Sequence, residues 1–185
     1  LFLAHAGIVT AGGPVEIIDK AIYGQDERIE LFEADRATRV AGRSVAAVMS
    51  SDQLRWQSDG LLRLPDRPTG IDLDWCPDER FRRQPQLAAC TAFLIAPGTV
   101  ATFVFDFSLT KAGHLALSLS PGQVYSCKEV LDGDQLPGGQ DWRVVRLNRQ
   151  VRQRSPLALL SGGPPPVRTE VSVIGHPRGL PAKVG

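Results

Sequence analysis

Histidine, cysteine and aspartate are the side chains through which this 185-residue chain could carry out catalysis. The three histidines and three cysteines lie far apart in the sequence: His5, His114, His176, Cys76, Cys90 and Cys127. Their spacing matches no zinc motif, and no glycine-rich phosphate-binding motif occurs. The sequence therefore predicts neither a metal site nor a cofactor.

Asp141 is the strongest candidate for a catalytic side chain. It follows a polar, glycine-rich loop and precedes the apolar run Val144-Val145-x-Leu147, which predicts a strand. A carboxylate at the mouth of a β-structure could hold a histidine in the tautomer that acyl transfer requires. The alternative is an aspartate that caps a turn.

The composition favours an all-β protein with many short strands. The chain has 18 Gly and 14 Pro, with 6% aromatic residues, which is typical of strands and turns rather than a helical bundle. A net charge of +1 gives no large field, so neither nucleic acid nor a membrane surface is predicted as a partner. No apolar run approaches the ~18 residues of a membrane span.

The central strands are expected on either side of Pro97-Gly98. Residues 90–96 and 99–107 are rich in small, β-branched and aromatic residues, so they predict two strands joined by a tight turn. Further strands are expected at residues 61–64, 123–131 and 171–174, with a hairpin tip at 111–114. Residues 37–49 read as a strand or a buried helical turn, since periodicity does not separate the two.

Two charged segments are interpreted as surface structure. Residues 76–85 carry acidic and basic side chains next to each other, as in a solvated turn with local ion pairs. A basic run follows Asp141 and has no interleaved aromatic residues, which favours a solvated strand end over a nucleic-acid site. Its members are Arg143, Arg146, Arg149, Arg152 and Arg154.

Several strings, in the same order, resemble chymotrypsin-like serine proteases, in particular the bacterial glutamyl-endopeptidase-like branch. They lie at residues 23–28, 41–47, 76–85, 90–102, 141–149 and 175–181. The resemblance implies an all-β, chymotrypsin-like fold with a nearly complete first β-barrel and the start of a second. It also implies that Asp141 is the triad acid, although Arg143 replaces a small residue of the family motif.

The family's domain plan divides the chain into four parts. Residues 1–20 are a signal-peptide remnant or disordered start, 21–75 an N-terminal arm with loops, 76–155 the first β-barrel, and 156–185 a linker and the beginning of the second. The small residues of Ala4-His5-Ala6 suit a signal-peptidase site, and an ordinary buried N-terminal strand is the alternative. With family membership, this predicts a secreted or periplasmic protein.

The resemblance lacks two elements of the triad. Thr102 is followed by Phe103, where the family has its His-Cys motif, and no Gly-Asp-Ser-Gly-Gly-Pro or Gly-Asn-Ser-Gly-Ser-Pro string occurs. Ser161-Gly162-Gly163-Pro164 lacks the preceding Gly-Asp and is interpreted as a coincidence. His114 is expected in a surface hairpin, and the resemblance makes His176 structural. The family implies a serine endopeptidase acting on peptide or protein substrates, with this chain inactive.

Two other interpretations remain open. One is a non-catalytic, protease-like protein that binds peptides or a partner through its barrel loops. The other is an artefactual fragment of an intact protease gene, with residues lost at both ends and between Thr102 and Phe103. In the family, the cysteine matching Cys90 bonds the one after the catalytic histidine. Since that partner is missing, Cys90 is expected to be unpaired, and Cys76 and Cys127 either pair or stay reduced.

Overall fold

The computed structural model describes residues 2–4, 26–66, 75–94, 102–134 and 142–185. Strands are the main regular element of the described residues and helices are few, so the predicted all-β class is confirmed. The strands are β1 (Phe2–Ala4), β2 (Ile29–Glu30), β3 (Val45–Met49), β4 (Arg55–Trp56), β5 (Leu62–Arg63), β6 (Cys90–Phe93), β7 (Thr102–Phe105), β8 (Leu109–Lys111), β9 (His114–Leu115), β10 (Ser118–Leu119), β11 (Val124–Tyr125), β12 (Cys127–Asp134), β13 (Trp142–Leu147), β14 (Ile174–Gly175) and β15 (Lys183–Val184).

One α-helix, α1 (Arg36–Gly42), leads into the central strand β3. The Asp35 carboxylate accepts hydrogen bonds from the N–H groups of Ala37 (2.7 Å) and Thr38 (3.1 Å), which caps the first turn. Residues 37–49, for which the sequence left a strand or a helical turn open, thus contain both. Short 3₁₀ turns lie at Leu31–Glu33, Ser51–Gln53, Pro121–Gln123 and Pro177–Gly179.

Seven strands form the main sheet, in the order β11-β7-β3-β6-β1-β13-β12. All six neighbouring pairs are antiparallel. All five residues of β3 are buried, because side chains that alternate across a strand are here covered on both faces of the sheet. The short side chains of Ala46 and Ala47 let this strand pack between two cores.

The two strands predicted on either side of Pro97-Gly98 both form, as β6 and β7, but the predicted pairing between them is wrong; Pro97 and Gly98 lie outside the described residues. β3 lies between β6 and β7 and is antiparallel to both. The two strands therefore run in the same direction and cannot form a hairpin. Sequence pattern identifies strands, but their partners are set by burial of nonlocal surfaces.

Other local predictions are confirmed. β8 and β9 pair as an antiparallel hairpin, with Gly113 at φ +72° in its turn, as expected for residues 111–114. Strands also occur within residues 61–64 and 123–131, and only Ile174 of the expected 171–174 strand is in β14.

One bent segment supplies both outer strands of the main sheet. β11 pairs with β7 and β12 pairs with β13, at opposite edges, yet only Ser126 separates β11 from β12 in the chain. The sheet must therefore curl until its two edges meet near Ser126. Asn148 holds this corner, since its N–H donates to the Ser126 carbonyl oxygen at 2.9 Å. Among the described strands, the hydrogen-bond ladder itself does not close into a barrel.

Each face of the curled sheet covers its own apolar core. The first cluster lies on the face that includes Phe103, Phe105 and Val145. The second lies on the opposite face, beneath the small sheet β10-β5-β4, and includes Val104 and Leu62. Because β7 contributes consecutive residues to the two clusters, it ties both cores together.

A third sheet joins segments from distant parts of the chain, in the order β14-β15-β2. Beneath it, the Lys183 ammonium lies 3.0 Å from a carboxylate oxygen of Glu30, 2.8 Å from Gln84 Oε1 and 2.9 Å from the Pro181 carbonyl oxygen. The Lys183 side chain is 1% exposed and that of Glu30 is 9% exposed. Segments assigned by sequence to an N-terminal arm and to a second barrel thus share one sheet.

Candidate functional site

Three strands of the main sheet begin at the same end of it. β6 and β7 both run antiparallel to β3, and β6 and β13 both run antiparallel to β1. β6, β7 and β13 therefore share one direction, and their first residues, Cys90, Thr102 and Trp142, lie at one end of the sheet. We call this the Thr102 end.

Asp141, the sequence candidate for a triad acid, lies outside the described residues. The next residue, Trp142, is described and pairs with Ala4 of β1. Arg143, whose size departs from the resembled motif, is half-buried in β13. Its pairing with Leu3 and Gly133 shows that the strand forms with arginine at this position.

His176 is buried and makes hydrogen bonds on two sides. Its N–H donates to Thr91 Oγ1 at 2.8 Å, and its ring Nδ1 lies 3.0 Å from the Leu180 carbonyl oxygen. Since a carbonyl only accepts, Nδ1 carries the proton. The imidazole also stacks on Phe107 at a centroid distance of 5.7 Å. These contacts fix a neutral ring in the core, as the structural interpretation of this residue predicts.

Burial is the main reason why the pKa of His176 is lowered from 6.5 to about 4. The hydrogen bond to Leu180 raises this pKa, and the nearby charge of Lys183 lowers it. Below pH 6.5 the unfolded chain binds a proton that the folded chain excludes, so stability falls as pH decreases towards 4. At 1.36 kcal/mol per pKa unit, the loss is about 3 kcal/mol.

A non-titrating variant tests this dependence. His176→Asn keeps an N–H donor for Leu180, and we expect it to show a smaller loss of stability than wild type between pH 7.5 and pH 4.5. Urea unfolding at both pH values measures the difference. Identical losses in the two proteins would contradict a buried neutral histidine.

The other two histidines do not supply a base at the Thr102 end in the described structure. His114 is exposed on β9, in the β8–β9 hairpin, as the surface-hairpin interpretation predicts. His5 lies outside the described residues. Of the described histidines, one is thus buried in the core and the other is exposed on a hairpin.

Two cavities open at or near the Thr102 end. One, of about 490 Å³, is lined by residues that include Cys90, Thr91 and His176. The other, of about 560 Å³, is lined by Thr102, Trp56 and Tyr125 among others. Trp56 is 57% exposed, which is unusual for so large an apolar side chain. An exposed aromatic ring beside a concavity offers an apolar contact surface to a ligand.

Cys76 and Cys127 are free thiols, so the Cys76–Cys127 disulfide is not formed. Cys76 is exposed and Cys90 buried. Burial raises the pKa of Cys127 to about 11, although the hydrogen bond from the Glu129 N–H lowers it by a smaller amount. Because the thiolate is the reactive form, Cys127 is a poor nucleophile at neutral pH.

The charged segments are occupied by internal contacts. Residues 76–85 form the predicted turn, but its described ion pairs are not local. Arg80 lies 4.0 Å from the Asp26 carboxylate and Glu79 lies 3.8 Å from Arg28. In the basic run, Arg146 pairs with Glu129 at 2.7 Å. Within the described ranges, no group of His, Cys, Asp and Glu is arranged to hold a metal ion, and no helix has the length and apolarity to cross a bilayer.

The residues that sequence reasoning missed are Trp56 and the pair Glu30–Lys183. Trp56 stands in a polar stretch, where an isolated tryptophan is a weak sign of a binding surface. Lys183 interrupts the apolar run at residues 180–184, which signals a buried charge but not its partner. Comparison of the chain with protein-family models, curated proteins and solved structures gives no match.

Proposed function

We propose that this chain is a trypsin-like serine endopeptidase by family, with Asp141 as its triad acid, and that the 185 residues do not themselves hydrolyse peptide bonds. The observation that carries the proposal is the common end of β7 and β13. Asp141 immediately precedes β13, and the junction where the resembled family has its His-Cys motif is at the start of β7. A triad acid and a histidine loop attached there would approach from the same end of one sheet.

The curled sheet supports the chymotrypsin-like part of the proposal. One bent segment around Ser126 brings its two edges together, as a barrel requires. The first apolar cluster takes side chains from β3, β6, β7, β11 and β13, so strands along most of the sheet face one interior. Catalytic groups in proteins are commonly carried on loops that such a scaffold positions.

Inactivity follows from the chemistry that the triad needs. A serine hydroxyl is a weak nucleophile until a histidine removes its proton. Of the described histidines, His176 is buried with its ring held by the Leu180 carbonyl oxygen and stacked on Phe107, and His114 is exposed on a hairpin. The sequence also lacks the family's serine motif.

The purified chain is therefore expected to remain unlabelled by a serine-directed fluorophosphonate probe that labels an active trypsin-like protease under the same conditions. Labelling that disappears in Asp141→Asn would overturn the inactivity. Sequencing the source gene across the Thr102–Phe103 codons and beyond Gly185 tests the family assignment. A His-Cys loop and a Gly-x-Ser-Gly motif there support the endopeptidase, and their absence rejects it in favour of binding.

A second candidate function is peptide binding without catalysis. The observation that favours it is the 560 Å³ cavity at the Thr102 end, with the exposed ring of Trp56 in its wall. Aromatic side chains beside a cleft contribute much of the energy in peptide recognition. Tryptophan fluorescence on titration with a peptide library, compared between wild type and Trp56→Phe, measures it, and no spectral change with any member rejects this candidate.

A further inference from the structure

A further cavity lies beside the loop that follows β13, and it shares Gly122, Tyr125 and Arg149 with the 560 Å³ cavity. Its volume is about 430 Å³, and it is lined by Gly122, Tyr125, Arg149, Gln150, Arg152 and Gln153. The lining contains two guanidinium groups and two side-chain amides but no carboxylate. The charged side chains of the lining are therefore all positive, and its amide groups add further hydrogen-bond donors.

Arg149 is held in a fixed position at this cavity. Its Nη2 donates to the Val124 carbonyl oxygen at 2.8 Å and also to that of Pro121. Its guanidinium carbon lies 4.0 Å from the centre of the Tyr125 ring. Because carbonyl oxygens and a ring do not neutralise a full charge, Arg149 stays cationic and preorganised.

Arg152 is exposed and supplies the second charge. No ion pair joins it, or Arg149, to any carboxylate in the described part of the chain. Its side chain is consequently free to close over a ligand in the cavity. An arginine without a carboxylate partner, next to one that is held in place, allows an oxyanion to accept hydrogen bonds from two guanidinium groups.

The surrounding residues add to the positive potential. Arg43 donates to the Gln153 carbonyl oxygen at 3.0 Å, and Arg154 forms a two-point pair with Asp106 at 2.8 and 2.5 Å. Burial acts to raise the pKa of Asp106, but Arg154 outweighs it and the pKa is lowered. Asp106 is ionised and cancels one of the four arginine charges, which leaves an excess of about three.

The backbone of the loop also has donors available. Within the described structure, the N–H groups of Gln150, Arg152 and Gln153 make no hydrogen bond to a backbone carbonyl. These three residues are exposed and line the cavity, so their N–H groups can donate to a bound anion.

We propose that this cavity binds the phosphate group of a phosphate monoester, with Arg149 as the fixed contact and Arg152 as the closing one. A dianionic phosphate matches an excess of several positive charges better than a carboxylate, and its three terminal oxygens accept from several donors. Nucleic acid is disfavoured because Arg149 covers one face of Tyr125 and Phe105 meets the ring edge-on at 5.5 Å, leaving no stacking platform. The proposal does not depend on the protease assignment.

Calorimetric titration of the whole chain with inorganic phosphate and with a phosphoserine peptide tests the proposal, at constant ionic strength adjusted with sodium chloride. We expect saturable binding that weakens about tenfold in Arg152→Gln. Lys111→Gln is the matched control, because Lys111 is exposed on the β8–β9 hairpin and its loss changes the net charge equally. It should bind like wild type.

The outcomes separate the ligand sources. Tighter binding of the phosphoserine peptide than of inorganic phosphate assigns the site to a phosphorylated protein, and equal binding assigns it to a free phosphate group. Equal weakening by Arg152→Gln and Lys111→Gln overturns the proposal, as does absence of saturation or tighter binding of a single-stranded oligonucleotide. Unchanged thermal unfolding of Arg152→Gln excludes misfolding as the cause.

Discussion

Replacing Glu30 with Gln is expected to lower the free energy of unfolding by about 3–5 kcal/mol, because it leaves the Lys183 ammonium buried without a compensating charge. That ammonium is 1% exposed and lies 3.0 Å from the Glu30 carboxylate. Burial lowers the pKa of Lys183, and Glu30 opposes this. Denaturant unfolding at neutral pH measures the loss.

A double-mutant cycle shows whether the charge is the cause. Lys183→Met removes the ammonium while keeping an unbranched apolar stem, and the double variant Glu30→Gln/Lys183→Met no longer buries any charge at this site. We expect the double variant to be less destabilised than the sum of the two single variants. If the losses of the two single variants add up to that of the double variant, the two side chains do not interact through their charges.

Replacing Phe105 with Ala is expected to destabilise the protein by about 3–5 kcal/mol through the cavity that it leaves. Phe105 is fully buried in the first cluster. It meets Tyr125 edge-on at 5.5 Å, and the Arg154 guanidinium lies 4.7 Å from its ring. The loss of stability therefore includes the hydrophobic free energy of burying the ring, its packing against Tyr125 and its cation–π contact with Arg154.

Trp56→Ala is the matched control for this prediction. Trp56 is also aromatic, but it is 57% exposed, so its removal should change stability by less than about 1 kcal/mol. Thermal unfolding of the two variants side by side provides the test. Comparable losses would mean that Phe105 is not a core residue of the curled sheet.

Local sequence predicted the elements better than their partners. The apolar and β-branched runs around Cys90 and Phe103 identified β6 and β7, and the glycine at position 113 marked a hairpin. The insertion of β3 between β6 and β7 was not predicted, because pairing depends on which distant surfaces bury together. In short strands whose apolar and polar residues hardly alternate, the sequence gives almost no indication of how the strand aligns with its neighbour.

The candidate site was accessible to sequence reasoning only in part. The buried environment of His176 follows from contacts with Thr91, Phe107 and Leu180, two of which are distant in the chain. The phosphate-site proposal depends on which arginines of the basic run lack a carboxylate partner. Sequence shows five arginines alike, whereas the fold pairs Arg146 and Arg154 and leaves Arg149 and Arg152 unpaired with any described carboxylate.

The third sheet has a consequence for how the chain folds. The Glu30–Lys183 contact joins residues that are 153 positions apart, and β2 has no other described strand partner than β15. During synthesis, the backbone of β2 stays without its partner strand until Val184 has left the ribosome. Contacts of such long sequence separation make folding slow, and an unpaired strand is prone to aggregation. Folding yield, more than final stability, should limit the amount of native protein recovered.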